Sequence, residues 1–312
     1  MQQMQKQYRR LEKDEGSVSS KDNFEGAFKN NFYLSKEFAE FCSKNSNVEL
    51  SNVTTEDGHF YLLNNKNISI SNYNNDICDF FICNKISFMR VLNINNSTAE
   101  KKSIIEYSII FQKKYEDAIK DYKHSFKEGV RQSKKYGLTC KILKEDLSPL
   151  DTVYFIYQSQ VDRLNSFILP KSFFEDYIKL KGSVLFIVYF EDEPVSYGLG
   201  AEYKDNIYLS FAGSKTDFFK YRANNKLYDE IIKYACSKGL NVHLGLGISG
   251  TGYQKFKENT GAVNFKCERF PDDGVLINIG NKLLKLDLLK YFIKIINKLY
   301  EKRLVYFMIP FT

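Results

Sequence analysis

Glycines, a tyrosine and lysines are concentrated in one stretch, Gly245–Ala262, which reads GLGISGTGYQKFKENTGA. It follows a short apolar run, Leu240–Leu244, and its four glycines before Tyr253 precede a charged, helix-compatible segment, Gln254–Asn259. The order predicts a strand, a glycine-rich turn and a short helix. Glycines let a ligand approach the backbone, and the free N–H groups at a helix start favour an anion. The stretch therefore indicates either a site for an anionic ligand or a tight strand-to-helix turn without one.

The elements around this stretch predict the fold that holds it. Three strands follow one another with short turns between them, at Val184–Phe190, Val195–Tyr203 and Ile207–Phe211, and they indicate an antiparallel meander. A helix, Asn225–Ser237, leads from the meander to the glycine-rich stretch, and Val263–Arg269 is the closing strand. We expect an α+β fold with mixed, mostly antiparallel sheets and flanking helices.

The first half of the chain alternates between apolar and polar residues in short runs, with Asn-rich turns between them. This pattern predicts strands at His59–Leu63, Ile68–Ile70, Cys78–Cys83 and Ile86–Leu92. Helices are predicted at Leu34–Phe41 and Ser103–Phe111.

A longer helix with a basic face is predicted at Tyr115–Tyr136. Lys123, Lys127 and Arg131 are spaced at i, i+4 and i+8, so they share one face. That face is either a solvated surface or a basic strip along a groove that holds an anionic substrate.

A second basic helix is predicted at the C-terminus, Asn281–Arg303. Lysines from Lys290 to Lys302 line one of its faces and apolar residues line another. Such a helix either docks on its own protein or lies on an anionic membrane, here as a peripheral contact at the inner face.

Composition narrows the class of protein. The chain has 312 residues, of which 43% are hydrophobic and 27% charged, as in a folded protein, and its net charge of +7 favours anionic partners. The six cysteines form no CxxC pair and the three histidines are far apart, so no zinc site is expected. Scattered thiols, the lack of a secretory h-region and the lack of an apolar run of ~18 residues favour a cytoplasmic protein.

Three segments, in this order and spacing, resemble the FemAB-type branch of the GNAT acyltransferase superfamily. The first, YKHSFKEGVRQSKKYGL at Tyr122–Leu138, is similar to the family's Lys/Arg-rich segment that ends in glycine. The second is Phe155–Ile178, with a Pro-Lys-x-Phe-Phe helix start. The third runs from IYLSFAGS through KLYDEIIKYACSKGL to GYQKFKENTGA, where Phe256-Lys257 and Gly261 stand where the family has Phe-Lys and a following glycine.

The resemblance implies tandem GNAT-like domains. We expect a flexible leader at residues 1–22, a degenerate N-terminal GNAT-like domain at 23–147 and a C-terminal acyltransferase domain at 148–275. Residues 276–312 would be the amphipathic helix and tail. Ser148-Pro149 is a plausible boundary between the two domains.

The activity implied by the resemblance is transfer of an acyl or aminoacyl group to an amine, without a metal. The donor would be an acyl-CoA, such as acetyl-CoA, or an aminoacyl-tRNA, and the acceptor a small molecule, sugar or cell-envelope precursor. The family's Arg/Gln-x-x-Gly-x-Gly/Ala loop does not precede the Asn225 helix, where the chain reads RANNK. The alternative is a catalytically silent GNAT-like scaffold or binding protein, with the membrane surface as one place of action.

The chemistry needs a base for the amine, hydrogen-bond donors for the oxyanion, and cations or a helix start for the donor's phosphates. The donor is expected in an opening between two diverging strands, at Phe211, Ala212 and Gly213. Its phosphates are expected near Asn224, Asn225, Lys226, Gly247 and Gly252.

Four residues are the catalytic candidates. Lys257 resembles the family lysine that engages the donor end, Tyr253 is a candidate acid for the leaving group, and Glu202 and His243 are candidate bases. Candidates for acceptor binding are Arg131, Arg163 and Phe256. Each also has a structural interpretation, as a surface cation, a packing aromatic or a strand residue without a catalytic role.

Overall fold

The computed structural model describes residues 26–28, 31–46, 49–55, 58–63, 66–71, 75–84, 86–92, 105–164 and 168–270. The helices are α1 (Lys36–Ser46), α2 (Asn75–Cys83), α3 (Tyr115–Asp121), α4 (His124–Lys135), α5 (Leu150–Leu164), α6 (Lys171–Ile178), α7 (Ala223–Lys238) and α8 (Gly252–Asn259), with 3-10 turns at Phe32–Leu34 and Thr216–Tyr221. The strands are β1 (Leu50–Thr55), β2 (Gly58–Leu63), β3 (Lys66–Ser71), β4 (Ser87–Val91), β5 (Ile105–Ile110), β6 (Thr139–Lys144), β7 (Ser183–Phe190), β8 (Glu193–Tyr203), β9 (Asn206–Ser214), β10 (Asn241–Ile248) and β11 (Val263–Phe270). Among these described helices, none combines the length and the apolar character that crossing a membrane requires.

The strands form one 11-stranded sheet in the order β1-β2-β3-β4-β11-β5-β10-β9-β8-β7-β6. The pairs β3–β4 and β9–β10 are parallel, and the other neighbours that have a described register are antiparallel. In each parallel pair a helix, α2 or α7, joins the two strands, as parallel strands require. The expected α+β fold with a mixed, mostly antiparallel sheet is confirmed.

The two halves of the chain exchange strands at the centre of the sheet. Strand β5, from the first half, lies between β10 and β11, and β11, from the end of the described chain, pairs with β4. The predicted domain boundary at 147/148 also falls between β6 and its partner β7. Hydrogen bonding in the sheet therefore continues across that boundary, and the division at 147/148 stays a prediction.

The two faces of the sheet carry different helices. In β7, Val184, Phe186 and Val188 belong to a buried cluster with α3, α4 and α7, which we call the α7 face. Leu185 and Ile187 alternate with them and pack with α1, α5 and α6 on the opposite side, the α5 face. Strand β7 is thus apolar on both sides, which explains its continuous apolar sequence.

Most predicted elements of the second half of the chain are confirmed. Three predictions for the first half were wrong. Cys78–Cys83 belongs to helix α2, which buries Ile77, Cys78 and Phe81 along one face. Residues 105–110 of the helix predicted at Ser103–Phe111 form β5, a central strand covered on both faces, so its apolar run lacks the alternation of a half-exposed strand.

The third correction concerns Tyr115–Tyr136, which is two helices, α3 and α4. Tyr122 and Lys123, between them, have extended ψ angles of 127° and 154°. The predicted leader at 1–22 and the helix at Asn281–Arg303 lie outside the described residues, and membrane contact through Lys290–Lys302 stays a prediction.

Candidate active site

Strands β9 and β10 diverge after three residues of pairing. Asn206–Tyr208 pairs with Asn241–His243, and no later residue of these two fully described strands pairs with the other strand. Each strand bulges just beyond that point: Ser210 is the extra residue of β9 against β8, and Leu244 is the extra residue of β10 against β5. Gly245, next to the second bulge, has φ +71°. Because bulges bend strands, residues 209–214 and 244–248 border an opening, the wedge, and the predicted divergence is confirmed.

Two helices begin after the open ends of these strands and lie on the α7 face. Helix α7 follows β9, and α8 follows β10 after a short turn in which Thr251 caps the helix by accepting from the backbone N–H of Gln254 at 3.3 Å. Phe256 of α8 packs edge-to-face on Tyr228 of α7, with ring centroids 4.9 Å apart. The wedge is therefore flanked on this face by two helix N-termini, which concentrate backbone N–H groups there.

Lys257 lies beneath α8, fully buried against β10. Its Nζ donates to the carbonyl oxygens of Gly245 at 3.1 Å and Leu246 at 2.7 Å, and it lies 4.3 Å from the centre of the Tyr253 ring. No carboxylate pairs with this ammonium group among the described residues, and burial lowers its pKa from 10.5 to about 7. The structure thus places a buried, titratable cation at the bulge that opens the wedge.

Tyr253 lies next to Lys257 at the start of α8. The residue is 42% exposed. Burial of its hydroxyl raises the pKa of Tyr253, and the neighbouring hydroxyl of Tyr228 offsets part of that rise. A tyrosine with a raised pKa holds its proton at neutral pH, which is the state that a general acid needs. Its role as the acid stays a prediction.

His243 occupies the last paired position before the wedge and is fully enclosed. Asn206 Oδ1 accepts from Nε2 at 3.1 Å, and the Tyr107 hydroxyl donates to Nδ1 at 3.0 Å. Tyr208 stacks on the ring, with centroids 4.2 Å apart. Burial lowers the pKa of His243 from 6.5 to about 3. Both ring nitrogens are engaged, so this side chain fastens β5, β9 and β10 together at the vertex of the wedge.

The neutral, buried state of His243 predicts a loss of stability in mild acid. The unfolded chain titrates this group near 6.5 and the folded chain near 3, so the unfolded state binds more protons between these values. Stability should fall as pH falls through this window, by about 2 kcal/mol at pH 5 from this group alone. Urea unfolding of the wild type and His243→Gln at pH 5 and pH 8 measures it.

His124→Gln is the matched control for this prediction, because His124 is exposed at the start of α4. The control should lose as much stability between pH 8 and pH 5 as the wild type does. His243→Gln should lose less, because the contribution of His243 is absent. The same pH dependence in all three proteins would contradict the assignment.

Glu202, the other candidate base, lies at the closed end of the wedge. It faces Ile207 across β8–β9, where β9 is still paired with β10. Lys144 Nζ contacts its carboxylate at 2.8 Å, and the Tyr234 hydroxyl donates to it. Burial raises the pKa of Glu202, but these two hydrogen bonds outweigh burial and leave its pKa lowered. The structure does not bring Glu202 together with Lys257 and Tyr253.

The residues predicted to hold the donor's acyl end border the wedge on β9. The Phe211 side chain is buried among Phe173, Phe174 and Tyr177 of the α5 face, so only its backbone borders the opening. Ala212 packs on the opposite face. Gly213 is followed by Ser214, whose hydroxyl bonds to Asn224 Oδ1. The end of β9 is thereby tied to the first turn of α7.

The residues predicted near the phosphates at α7 already have protein partners. Asn224 binds Ser214, and a methyl group added at Gly129 of α4 would lie 2.4 Å from the Asn225 amide, so the two helices pack closely there. Lys226 is 8% exposed, and its Nζ lies 2.7 Å from Glu230. Phosphate binding by these side chains stays a prediction.

Gly247 and Gly252 lie on the α8 side of the wedge. A methyl group at Gly247 would meet the amide oxygen of Gln254 at 2.0 Å, so this glycine is needed for the close packing of α8 on β10. Gly252 is the first residue of α8 and has open space around it. Of the two, Gly252 is the one with room for a ligand.

The three acceptor candidates do not come together. Arg131, on α4, forms an exposed ion pair with Glu128 at 2.7 Å on the α7 face. Arg163, on α5, lies over the Phe219 ring at 5.3 Å on the opposite side of the sheet. Phe256 packs between Phe126 and Tyr228, as a core aromatic does.

Sequence reasoning missed two glutamines whose amide oxygens are buried against glycines of the diverging strands. The amide oxygens of Gln160 and Gln254 are buried without a hydrogen-bond partner, and they lie against Gly213 of β9 and Gly247 of β10. No sequence signal marks them, because a glutamine in an amphipathic helix is usually a solvated surface residue. Within the described ranges, no cluster of three or more His, Cys, Asp or Glu side chains has a metal-binding arrangement.

Comparison with known proteins agrees with this architecture. Residues 120–258 match the family described as "Acetyltransferase (GNAT) domain", whereas no curated protein matches the chain. The crystal structure of FemX superposes with a TM-score of 0.60 at 13% identity, over 84% of this chain and 98% of FemX. The structure of L-PGS from Bacillus licheniformis superposes with a TM-score of 0.53 at 12% identity, over 80% of this chain and 97% of that one. At these identities the likeness establishes the fold.

Proposed function

We propose that this protein, whose residues 120–258 match the GNAT acetyltransferase domain and whose fold is similar to that of FemX, moves an acyl or aminoacyl group from an activated donor to an amine. The wedge is the observation that carries the proposal. Beyond Tyr208 and His243, the facing edges of β9 and β10 keep backbone groups that the sheet does not use. Such groups bind an extended donor and its carbonyl, because they are preorganised and partly dry.

Lys257 supports the same reaction from the α7 face. Attack on an ester or thioester builds negative charge on the carbonyl oxygen, and a buried cation beside the wedge stabilises that charge more than a solvated one would. Tyr253, in contact with Lys257, would return a proton to the leaving oxygen or sulfur. Of the two candidate bases, Glu202 is paired with Lys144, and both ring nitrogens of His243 have hydrogen-bond partners.

The donor that the geometry favours is an aminoacyl-tRNA rather than an acyl-CoA. Between β9 and α7, where a glycine loop would hold a pyrophosphate, the 3-10 turn Thr216–Tyr221 packs Phe218 and Tyr221 on Phe190. A cavity of about 420 Å³ beside it is lined by four carboxylates, Glu191, Asp192, Glu193 and Asp217, against one cation, Lys220. Aromatic filling and negative charge both disfavour a pyrophosphate there.

A basic surface next to the wedge favours a larger polyanion. Residues 123–135 of the α4 segment contain five cations and one carboxylate, and the cations are exposed. The segment touches α8 through Phe126 and Phe256, and the backbone N–H of Lys123 donates to Asn259 O at 3.0 Å. A helix of 12 residues is about 18 Å long, so its face matches several successive phosphates of a nucleic acid.

The acceptor is proposed from the resemblance to the family alone, as an amine of a sugar or of a cell-envelope precursor. We use glucosamine and the dipeptide Ala-Lys as amine probes. A sugar amine and a lysine side chain represent the two classes, and both give an amide product that mass spectrometry detects.

The test compares donors and a charge-neutralised variant. With purified protein and either probe amine, a charged tRNA pool should support amide formation. Lys123→Gln/Lys127→Gln/Arg131→Gln should weaken tRNA binding at least about tenfold near 0.1 M salt and reduce the slope of log affinity against log salt by up to about 3, because each phosphate contact adds about 0.9. Binding titrations over a salt series give both values.

The control variant is Lys36→Gln/Lys44→Gln/Lys179→Gln, which removes the same charge from α1 and the end of α6 on the α5 face. It should bind tRNA like the wild type. Transfer from acetyl-CoA without transfer from charged tRNA would show that the donor is an acyl-CoA, and the proposal of acyl transfer would still hold. No transfer from either donor would remove the proposed function.

A catalytically silent scaffold is the second candidate. It is favoured by the state of the two candidate bases, since both nitrogens of His243 have partners and Glu202 is paired with Lys144. A wild-type protein that binds tRNA or an amine but forms no amide would support this alternative.

A further inference from the structure

The side-chain amide oxygen of Gln160 lies at the edge of the wedge and has no hydrogen-bond partner. Its Oε1 is buried without a partner, on helix α5, and a methyl group at Gly213 would lie 2.0 Å from it and 2.9 Å from the Tyr197 ring. Gly213 is therefore needed for the amide to approach β9 beyond the point where β10 has diverged. An unpaired amide oxygen in a buried position costs about 1–3 kcal/mol, and the native fold retains it.

The position of Gln160 identifies which substrate it faces. Helix α8, which carries Tyr253 and Lys257, packs on the α7 face through Phe256, as does Ala223 at the start of α7, whereas α5 covers the other face of the sheet. A planar carbonyl in the wedge, held by its donor portion on the α7 face, is attacked from above or below its plane. The α5 face is then the side from which the nitrogen nucleophile arrives.

We propose that the Oε1 of Gln160 is a binding and orienting group for the acceptor's amine. This inference rests on the proposed function. A primary amine keeps N–H groups while its lone pair attacks the carbonyl carbon, and the nitrogen becomes positively charged in the tetrahedral intermediate. An amide oxygen accepts one of these N–H groups, aims the lone pair and stabilises the developing charge. The proton that leaves the nitrogen goes to another base or to water.

The first measurement is made without any substrate. Gln160→Met keeps most of the side-chain volume and removes the unmet acceptor, so its Tm should rise by about 2–4 °C relative to the wild type. A residue with a packing or hydrogen-bonding role in the free protein would give a fall instead. Gln158→Met, two residues before Gln160 on α5 and partly exposed, is the matched control and should leave Tm unchanged.

The second measurement is the kinetics with glucosamine and Ala-Lys. Gln160→Met should raise KM for the amine about tenfold, the value of one hydrogen bond, and leave KM for the donor unchanged. Gln158→Met should match the wild type in both. An unchanged amine KM, or equal changes for donor and amine, overturns the inference while the transferase function stands.

Failure of the proposed function has a separate signature. If the wild-type protein transfers an acyl group to neither amine, the transferase proposal is contradicted. The Tm of Gln160→Met is then the measurement that tests the role of Gln160. A fall of Tm in Gln160→Met then assigns the amide to packing and overturns the inference. A rise supports an amide held ready for a ligand of the α5 face.

Discussion

Replacing Lys257 with methionine should lower the transfer rate by a factor of about 10²–10³, the usual effect of removing one donor to a developing oxyanion. The fold should survive. Methionine removes a buried ammonium group whose burial is unfavourable, and it leaves the carbonyls of Gly245 and Leu246 without that donor. These effects oppose each other, so Tm should change by only a few degrees. Single-turnover rates and thermal melting separate catalysis from folding.

The pH profile provides a second measure of the same group. Burial lowers the pKa of Lys257 to about 7, so the protonated fraction of the free protein falls about tenfold per pH unit above that value. If the cation stabilises the oxyanion, kcat/KM should have a descending limb with an apparent pKa near 7. The residual activity of Lys257→Met should lack this limb.

Lys255→Met is the control for both measurements. Lys255 lies on the same helix but is exposed, so its loss removes equal charge without touching β10. It should keep the wild-type rate and the descending limb. A Lys257→Met protein with a rate within about threefold of the wild type, or with the limb intact, would exclude Lys257 from the reaction.

The parts of the fold that follow local rules were predictable from sequence. The meander, α7 and the glycine turn that begins α8 were predicted within a few residues, because period-two patterns, turn residues and Gly239 mark them directly. The exchange of β5 and β11 was not predictable. It depends on pairings such as Phe265 with Tyr107, which join residues far apart in the sequence and leave no local pattern.

The sequence predicted where the candidate site lies, but not how its side chains are buried and paired. Glycines and the Phe-Lys pair identified the stretch, but their types did not reveal that Lys257 is enclosed or that Lys226 is paired with Glu230. A lysine on a short helix is normally solvated. Which side chains are buried, which partners they have and why the Gln160 amide oxygen lacks one all depend on tertiary packing. Composition and residue spacing therefore do not predict these properties.

The wedge is a consequence of backbone conformation as much as of side chains. His243 and Tyr208 are the last paired residues of β10 and β9, and each strand has a bulge just beyond that pair. At Gly245 the chain takes φ +71°, a value that disfavours any residue with a Cβ. The same turn directs the carbonyls of Gly245 and Leu246 toward Lys257. The same backbone turn at Gly245 thus both opens the wedge and positions the ammonium group of Lys257.

Gly245→Val should therefore abolish transfer, with a loss of about a hundredfold or more, because displacements near 1 Å at a reacting centre cost that much. The valine has open space around its Cβ, so the cost comes from backbone strain and not from a clash. Strain of this kind destabilises a fold by about 1–3 kcal/mol. Relaxing it requires β10 to leave the positive-φ conformation, which moves both carbonyls away from Lys257. Transfer kinetics and urea unfolding measure the two effects.

Gly239→Val separates strain from function. Gly239 has φ +66°, open space at its Cβ position and a place at the C-terminal end of α7, outside the wedge. It should lose a similar amount of stability, about 1–3 kcal/mol, and retain transfer under conditions where it is folded. Equal loss of activity in both variants would mean that general destabilisation, and not the geometry of β10, is responsible. Full activity in a folded Gly245→Val protein would mean that the bulge does not position the reacting groups.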